Sequence, residues 1–289
     1  MSRPKLVVVG NACRDVTYHL DRLPEPGETL IAREVVIDLG GKGLNQAVAA
    51  ARAGAGVHLI AALGDDATAA RIRAALQEEG MDDRGLITQE GVSDESLLLL
   101  DPQGENLIVS NTQRAQSLTP SQVEAAVKAV LDGADLLLLQ GNLAQETTFH
   151  AMKLARMAGV KVAVNPSPFQ AWLGAMPQLD LIIANQGEAN ALGDIRADMA
   201  VVTLGARGCR LRFAGRDIDI PAPKVQAIAA GGAGDVFAGT FIAEFLSSRD
   251  PERAGRLAVA AASDKATRHG SLSAFPRRAA INALRRFLV

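Results

Sequence analysis

Short, almost uninterrupted apolar runs punctuate the chain at Leu6–Val9, Val57–Ala62, Leu136–Leu139, Val160–Val164, Leu181–Ala184 and Met199–Thr203. Apolar side chains at nearly every position of so short a segment suit a strand buried on both faces, as in a parallel sheet covered on each side. Between these runs lie Leu44–Ala53, Ala67–Glu79, Pro120–Leu131 and Glu146–Ala158, each long enough for a helix. The third carries its own start signal: Thr119 as N-cap, Pro120 at the first helical position and Gln122 completing a capping box. The alternation predicts an α/β fold, a doubly wound and mainly parallel sheet flanked by helices. Its functional cleft is expected beyond the carboxyl ends of the strands.

Some segments break the alternation. Thr29–Leu39 mixes polar and apolar residues at strand-like spacing. Leu97–Leu100 and Leu107–Val109 flank Asp101-Pro102-Gln103-Gly104-Glu105, which reads as a hairpin turn. Together they predict a small β-sheet projecting from the main one, either a lid or an ordinary edge hairpin. The chain has no long Pro/Ser/Gly linker and no fixed-period repeat.

Composition narrows the function classes. With 289 residues, 48% hydrophobic and 21% charged, the chain can bury a substantial core and is not of the disordered type. A net charge of -2 without a Lys/Arg cluster argues against a nucleic-acid partner, and 3% aromatics argue against single-strand stacking platforms. The run Leu6–Val9, ended by Gly10, is too short for a signal core or a membrane span, so a soluble, cytoplasmic protein is expected. Cys13 and Cys209 belong to no CxxC pair, which speaks against a disulfide framework or a zinc site. His19, His58, His150 and His269 share no metal spacing, and neither GxSxG nor HExxH occurs.

The strongest chemical signal is Gly231-Gly232-Ala233-Gly234-Asp235, followed by the helix-compatible Val236–Leu246. Glycines before a helix let a ligand approach the backbone, and the free N–H groups and helix dipole favour an anion, such as a phosphoryl group in transfer. Asp235 suits a base that accepts a hydroxyl proton, or equally an N-cap. A second turn, Gly40-Gly41-Lys42-Gly43, precedes Leu44-Asn45-Gln46 and lacks the GxxxxGK[ST] spacing. It admits a hydroxylated ligand near Asn45, or is simply a tight turn with a surface lysine. Asn185 and Glu188 follow a strand and read as a magnesium-linked pair, as a capping box, or as both. Thr203-Leu204-Gly205-Ala206-Arg207-Gly208 either lets a nucleotide lie on the backbone or turns into the strand Cys209–Phe213.

In their order along the chain these motifs resemble the ribokinase (PfkB-type) carbohydrate kinase family over essentially the whole length. Gly10-Asn11-Ala12-Cys13-Arg14-Asp15 is similar to its first substrate-contacting segment, and Leu23–Thr29 to the start of its lid. Gly40–Ala47 matches the first signature and Asn165-Pro166-Ser167-Pro168 the Asn-Pro-x-Pro element. Asn185 and Glu188 match the motif tied to Mg²⁺ and phosphate, and Gly232–Asp235 the second signature.

The resemblance implies ATP-dependent phosphorylation of a hydroxyl on a sugar-like small molecule. It implies Asp235 as base, with an anion hole at Gly232, Ala233 and Gly234. Substrate would meet Cys13, Asp15, Gly41, Lys42, Asn45 and Asn142. ATP would lie along Asn185, Glu188, Thr203, Gly205 and Gly208, with Glu188 reaching Mg²⁺ through water. Residues 11–39 and 91–112 would form the lid, with a homodimer contact as in several members. Residues 1–10, 40–90 and 113–289 would form the nucleotide- and substrate-binding domain.

Departures matter as well. Ala229-Ala230-Gly231 stand where the family has Asp-Thr-Thr, whose Asp helps bind a potassium-type ion in ribokinases. Monovalent-cation activation is therefore an open question. Cys13 replaces a frequent Asn and Asn142 a Glu, so a substrate other than ribose is open too. A nucleoside or sugar-phosphate kinase, the latter using Arg14 or Arg114, and a non-catalytic sugar or nucleotide sensor are the alternatives.

Overall fold

The computed structural model describes residues 3–287. Its strands are β1 (Lys5–Val9), β2 (Cys13–His19), β3 (Glu34–Gly40), β4 (Gly56–Leu63), β5 (Leu86–Thr88), β6 (Asp94–Leu100), β7 (Asn106–Asn111), β8 (Leu136–Gln140), β9 (Lys161–Asn165), β10 (Leu179–Asn185), β11 (Ala197–Thr203), β12 (Cys209–Phe213) and β13 (Arg216–Ile220). Its α-helices are α1 (Lys42–Ala53), α2 (Ala67–Glu78), α3 (Gln113–Ser117), α4 (Pro120–Leu131), α5 (Gln145–Met157), α6 (Gln186–Leu192), α7 (Ala233–Ser248), α8 (Pro251–Ala266) and α9 (Arg278–Arg286).

Nine strands form the main sheet in the order β13-β12-β11-β10-β9-β8-β1-β4-β5. It is parallel from β11 to β5, and only β12 and β13 run antiparallel. Each apolar run of the sequence falls on one of these strands, with Val160 one residue ahead of β9, because helices cover both faces. In β1, Leu6 and Val8 enter the core under α1, α7 and α8, while Val7 and Val9 enter the one under α4 and α5. Leu136 and Leu138 of β8 alternate with Leu137 and Leu139 in the same way.

Local signals set the helix starts. The Thr119–Gln122 capping box is formed, and Asp66 and Asp250 accept backbone N–H bonds at the heads of α2 and α8. Among the described residues no helix is long and apolar enough to cross a membrane.

The remaining strands make a separate sheet, ordered β3-β2-β6-β7, rather than an extension of the main sheet's edge. The hairpin expected around Gly104 is its β6–β7 pair. Cross-strand register puts Thr17, Val36, Asp38 and Leu98 on a face that lines a cavity of about 950 Å³. The opposite face carries Val35, Ile37, Leu107 and Val109, which are 47–69% exposed.

Within the main sheet the chain leaves β1 toward β4 and later returns through β8 on β1's other side. The carboxyl ends of β1 and β8 therefore border the crevice where an open α/β sheet binds ligands.

Candidate active site

Two glycine-started helices meet at this crevice. Gly41 is the N-cap of α1 at φ +94°, and a Cβ there would come 2.9 Å from Ala12 Cα. Only glycine fits both the backbone angle and the close approach. Gly43 N donates to Asn11 Oδ1 at 3.3 Å and Leu44 N to Asn11 O at 3.0 Å, tying the end of β1 to the head of α1.

At the second helix Gly232 is the N-cap of α7 at φ +78°, with Phe275 Cε1 2.9 Å from where its Cβ would be. This settles one of the open readings: Asp235 is not an N-cap. It lies in the first turn of α7, 6% exposed, and its carboxylate turns to α1 instead of the backbone. Asn45 Nδ2 donates to Asp235 Oδ2 at 3.0 Å, Gln46 Nε2 donates to Oδ1 at 2.9 Å, and Lys42 Nζ lies 3.7 Å from Oδ1. Lys42 is thus a partner of Asp235 and not a plain surface lysine. Each carboxylate oxygen keeps capacity for a further hydrogen bond.

Gln46 belongs to a buried chain of amides that the sequence did not single out as site residues. Its Nε2 also donates to Asn165 Oδ1 at 2.8 Å, and its Oε1 accepts from Gln140 Nε2 at 3.0 Å. Asn165 Nδ2 donates to Ile183 O at 2.7 Å. The ends of β8 and β9 thereby brace α1, which in turn braces Asp235. Asn165 and Gln46 stood inside recognised motifs, but only the end position of Gln140 on an apolar strand hinted at it.

Three buried side-chain amide acceptors have no partner among the described residues: Asn45 Oδ1, Asn142 Oδ1 and Gln140 Oε1. Such groups are costly unless a ligand or water donates to them, so they suit a molecule rich in hydroxyls.

Asp15 is buried against Gly40, where a Cβ would overlap its carboxylate. Burial raises its pKa above the usual carboxylate range; Asp38 and Asp235 push the same way, against hydrogen bonds from Ser271 and Cys13. Cys13 Sγ lies 3.5 Å from Asp15 Oδ1, and burial drives its thiol pKa well above normal, with Asp15 adding to the effect. It is a small neutral group at this edge of the site. Arg14, by contrast, pairs with Glu95, and alternation along β2 places it with Tyr18 on the sheet's outer face. Arg114 spends its guanidinium on Val92 O and Gln89 Oε1.

On the far side of α7's head lies a cavity of about 820 Å³. Asn185, Thr203, Gly205 and Gly208 line it with Ala233, Gly234 and an apolar wall of Val225, Phe237 and Val259. Its size and glycine-rich, apolar lining fit a nucleotide. Ala233 N–H donates to Ala230 O at 3.1 Å, while the amides of Gly232 and Gly234 have no acceptor among the described residues. Glu188 does not line the cavity. Its Oε2 accepts from Asn185 N at 2.8 Å and its own N–H donates to Asn185 Oδ1 at 2.8 Å, the complete capping box. Its other oxygen remains uncommitted. Among the described residues no group of three or more His, Cys, Asp or Glu side chains can hold a metal.

The model of the family described as "pfkB family carbohydrate kinase" matches residues 3–278. A ribokinase of Haemophilus influenzae is 31% identical, over 96% of this chain and 96% of that protein. A deoxyribokinase of Salmonella typhi is 28% identical, over 94% and 95%. Among solved structures, the ADP complex of a ribokinase from Cryptococcus neoformans has a TM-score of 0.86 at 26% identity, covering 97% of this chain and 99% of that one.

Proposed function

This chain belongs to the pfkB family of carbohydrate kinases and is an ATP-dependent carbohydrate kinase, and we propose that Asp235 is the base that readies a sugar hydroxyl for phosphorylation. The observation carrying the proposal is the buried Asp235 carboxylate, oriented by Asn45 and Gln46 beside a helix head with free amides. Asp235 takes the hydroxyl proton as the sugar oxygen attacks the γ-phosphorus of ATP. The bond from that phosphorus to ADP breaks, and the Gly232 and Gly234 amides with the α7 dipole stabilise the phosphoryl oxygens. Ala233 helps through the turn its N–H closes.

Cys13, Asp15, Gly41, Lys42, Asn45 and Asn142 contact the sugar in this reading, and the unpartnered Asn45 and Asn142 oxygens support hydroxyl recognition. The outward side chain of Tyr18 and the engaged Arg14 and Arg114 favour a plain sugar over a nucleoside or sugar phosphate. Asn185, Thr203, Gly205 and Gly208 hold the nucleotide, and Glu188 would hold Mg²⁺ through water. Mg²⁺, when bound, neutralises phosphate charge.

Residues 11–39 and 91–112 act as a lid that excludes water, supported by the cavity on their inner face. The remaining segments, 1–10, 40–90 and 113–289, are the catalytic domain. The exposed apolar outer face, Val35 to Val109, supports a homodimer through the lid. The buried free thiols of Cys13 and Cys209 suit a cytoplasmic setting.

The test is an Asp235→Asn variant, expected to lose turnover while binding nucleotide nearly as before. It is read by coupled ADP release across pentoses, hexoses, nucleosides and sugar phosphates. A variant keeping much of the wild-type rate refutes the assignment of the base. A wild type that no acceptor stimulates favours the sensor reading.

A further inference from the structure

Lys265, in the last turn of α8, is 0% exposed. Its Nζ donates to Ala229 O at 3.0 Å and Arg268 O at 3.5 Å. Among the described residues no carboxylate oxygen comes within 4.0 Å of it. Asp38, the carboxylate across the same cavity, is occupied by Ser271 N, Ser273 N and Ser273 Oγ at 2.6–3.0 Å. A wholly buried ammonium satisfied only by carbonyls is expensive, and an apolar side chain of similar volume would pack there without that cost. The cost shows in the group itself: burial pulls its pKa down to about 8, against a smaller opposing pull from Asp38. Packing alone does not account for a charge at this position.

The charge sits behind the anion-binding loop. Ile228 N and Ala229 N donate to Ala266 O at 2.7 and 3.1 Å, while Lys265 returns its bond to Ala229 O, so the loop and the end of α8 are clasped from both directions. Lys265 Cε lies 3.8 Å from the Cβ position of Gly232, the N-cap whose free amide borders the phosphoryl site. Carbonyl oxygens turned toward a positive centre hold potassium and ammonium alike. A separate potassium-type ion would compete for the same place: Ala229 offers no carboxylate, and a covalently attached ammonium already lies on its carbonyl oxygen.

We propose that Lys265 is a built-in monovalent cation, a positioning residue that fixes the Ala229–Gly232 loop for phosphoryl transfer and frees the enzyme from potassium. The proposal rests on the kinase reading above.

Sugar-dependent ADP release and thermal unfolding of the wild type are measured in potassium, sodium and tetramethylammonium salts, alongside Lys265→Ala and Lys265→Met. The wild type is expected to give the same kcat and Tm in potassium and sodium. Lys265→Ala is expected to lose at least about tenfold in kcat, with a much smaller change in KM for ATP. Potassium or ammonium, but not tetramethylammonium, should restore part of that kcat and raise its Tm saturably. Lys265→Met, which fills the space, should be slow and unrescued. Potassium activation of the wild type, wild-type kcat in Lys265→Met, or a loss in Lys265→Ala that no small cation relieves would each overturn the proposal. Should Lys265→Ala fail to fold, the wild-type salt series and Lys265→Met decide. A wild type without kinase activity sinks the kinase reading instead, and the saturable potassium effect on the Tm of Lys265→Ala then still tests the cation position.

Discussion

Replacing Gln46 by Met probes how Asp235 is held. The two side chains are close in length and volume, so the substitution opens little cavity. What it removes is polar: the bond to Asp235 Oδ1 at 2.9 Å, the bond to Asn165 Oδ1 at 2.8 Å, and the acceptor of Gln140 Nε2 at 3.0 Å. Asn165 Oδ1 and Gln140 Nε2 are then stranded in a dry interior, each at about 1–3 kcal/mol, or roughly 2–6 kcal/mol together. That is a large share of the roughly 5–15 kcal/mol that holds a domain folded. For a chain of this size it lowers Tm by roughly 4–10 °C.

Catalysis should suffer differently. Asp235 keeps Asn45 but loses its other short donor, so kcat is expected to fall ~10–100-fold, with KM for ATP little changed because Gln46 does not line the cavity proposed for the nucleotide. A second variant, Gln46→Met with Gln140→Leu, separates the two effects. Removing the stranded Gln140 amide should return about 1–3 kcal/mol of stability without returning kcat. Thermal melts and steady-state kinetics on both variants suffice. Wild-type kcat in Gln46→Met, or a double variant less stable than the single one, refutes the reasoning.

Three further expectations follow from named contacts. Gly232→Ala forces a side chain into φ +78° and 2.9 Å from Phe275 Cε1, costing about 1–2 kcal/mol in backbone strain alone; a melt and a kcat that both match wild type would show that the loop does not need glycine. Lys265 titrates near 8 when folded and near 10.5 when unfolded, so between these values the unfolded chain binds more protons and stability rises with pH, by at most about 3 kcal/mol. Denaturant titrations from pH 7.5 to 10.5 should therefore show a rise in the wild type that Lys265→Met lacks, and parallel curves would contradict it. Val109→Glu, at a position 69% exposed, should convert a dimer to monomers in sedimentation with little change in Tm, an expectation that a monomeric wild type would defeat.

Much of this protein could be read from its sequence because the reading needed only near neighbours. The main-sheet strands announced themselves because Leu6 and Val8 are buried on one face and Val7 and Val9 on the other, leaving no polar position between them. The Gly41 and Gly232 turns were visible because a left-handed N-cap demands glycine wherever it occurs. The Asn185–Glu188 box was legible because both partners lie within one helical turn. Strand β2 was not: one face of Cys13–His19 looks toward a cavity and the other outward, so its sequence has no apolar period.

The site depended still more on the fold. Whether Asp235 was a cap or a held carboxylate turned on Asn45 and Gln46, which lie 190 and 189 residues away. Nothing in the neighbourhood of Lys265 distinguishes it from a surface lysine of an amphipathic helix; its burial exists only because α8 closes on the Ala229–Gly232 loop. Periodicity and turn chemistry are local and survive in the sequence alone. The partner of a buried charge is settled only when distant segments pack, because desolvation is a property of the assembled interior.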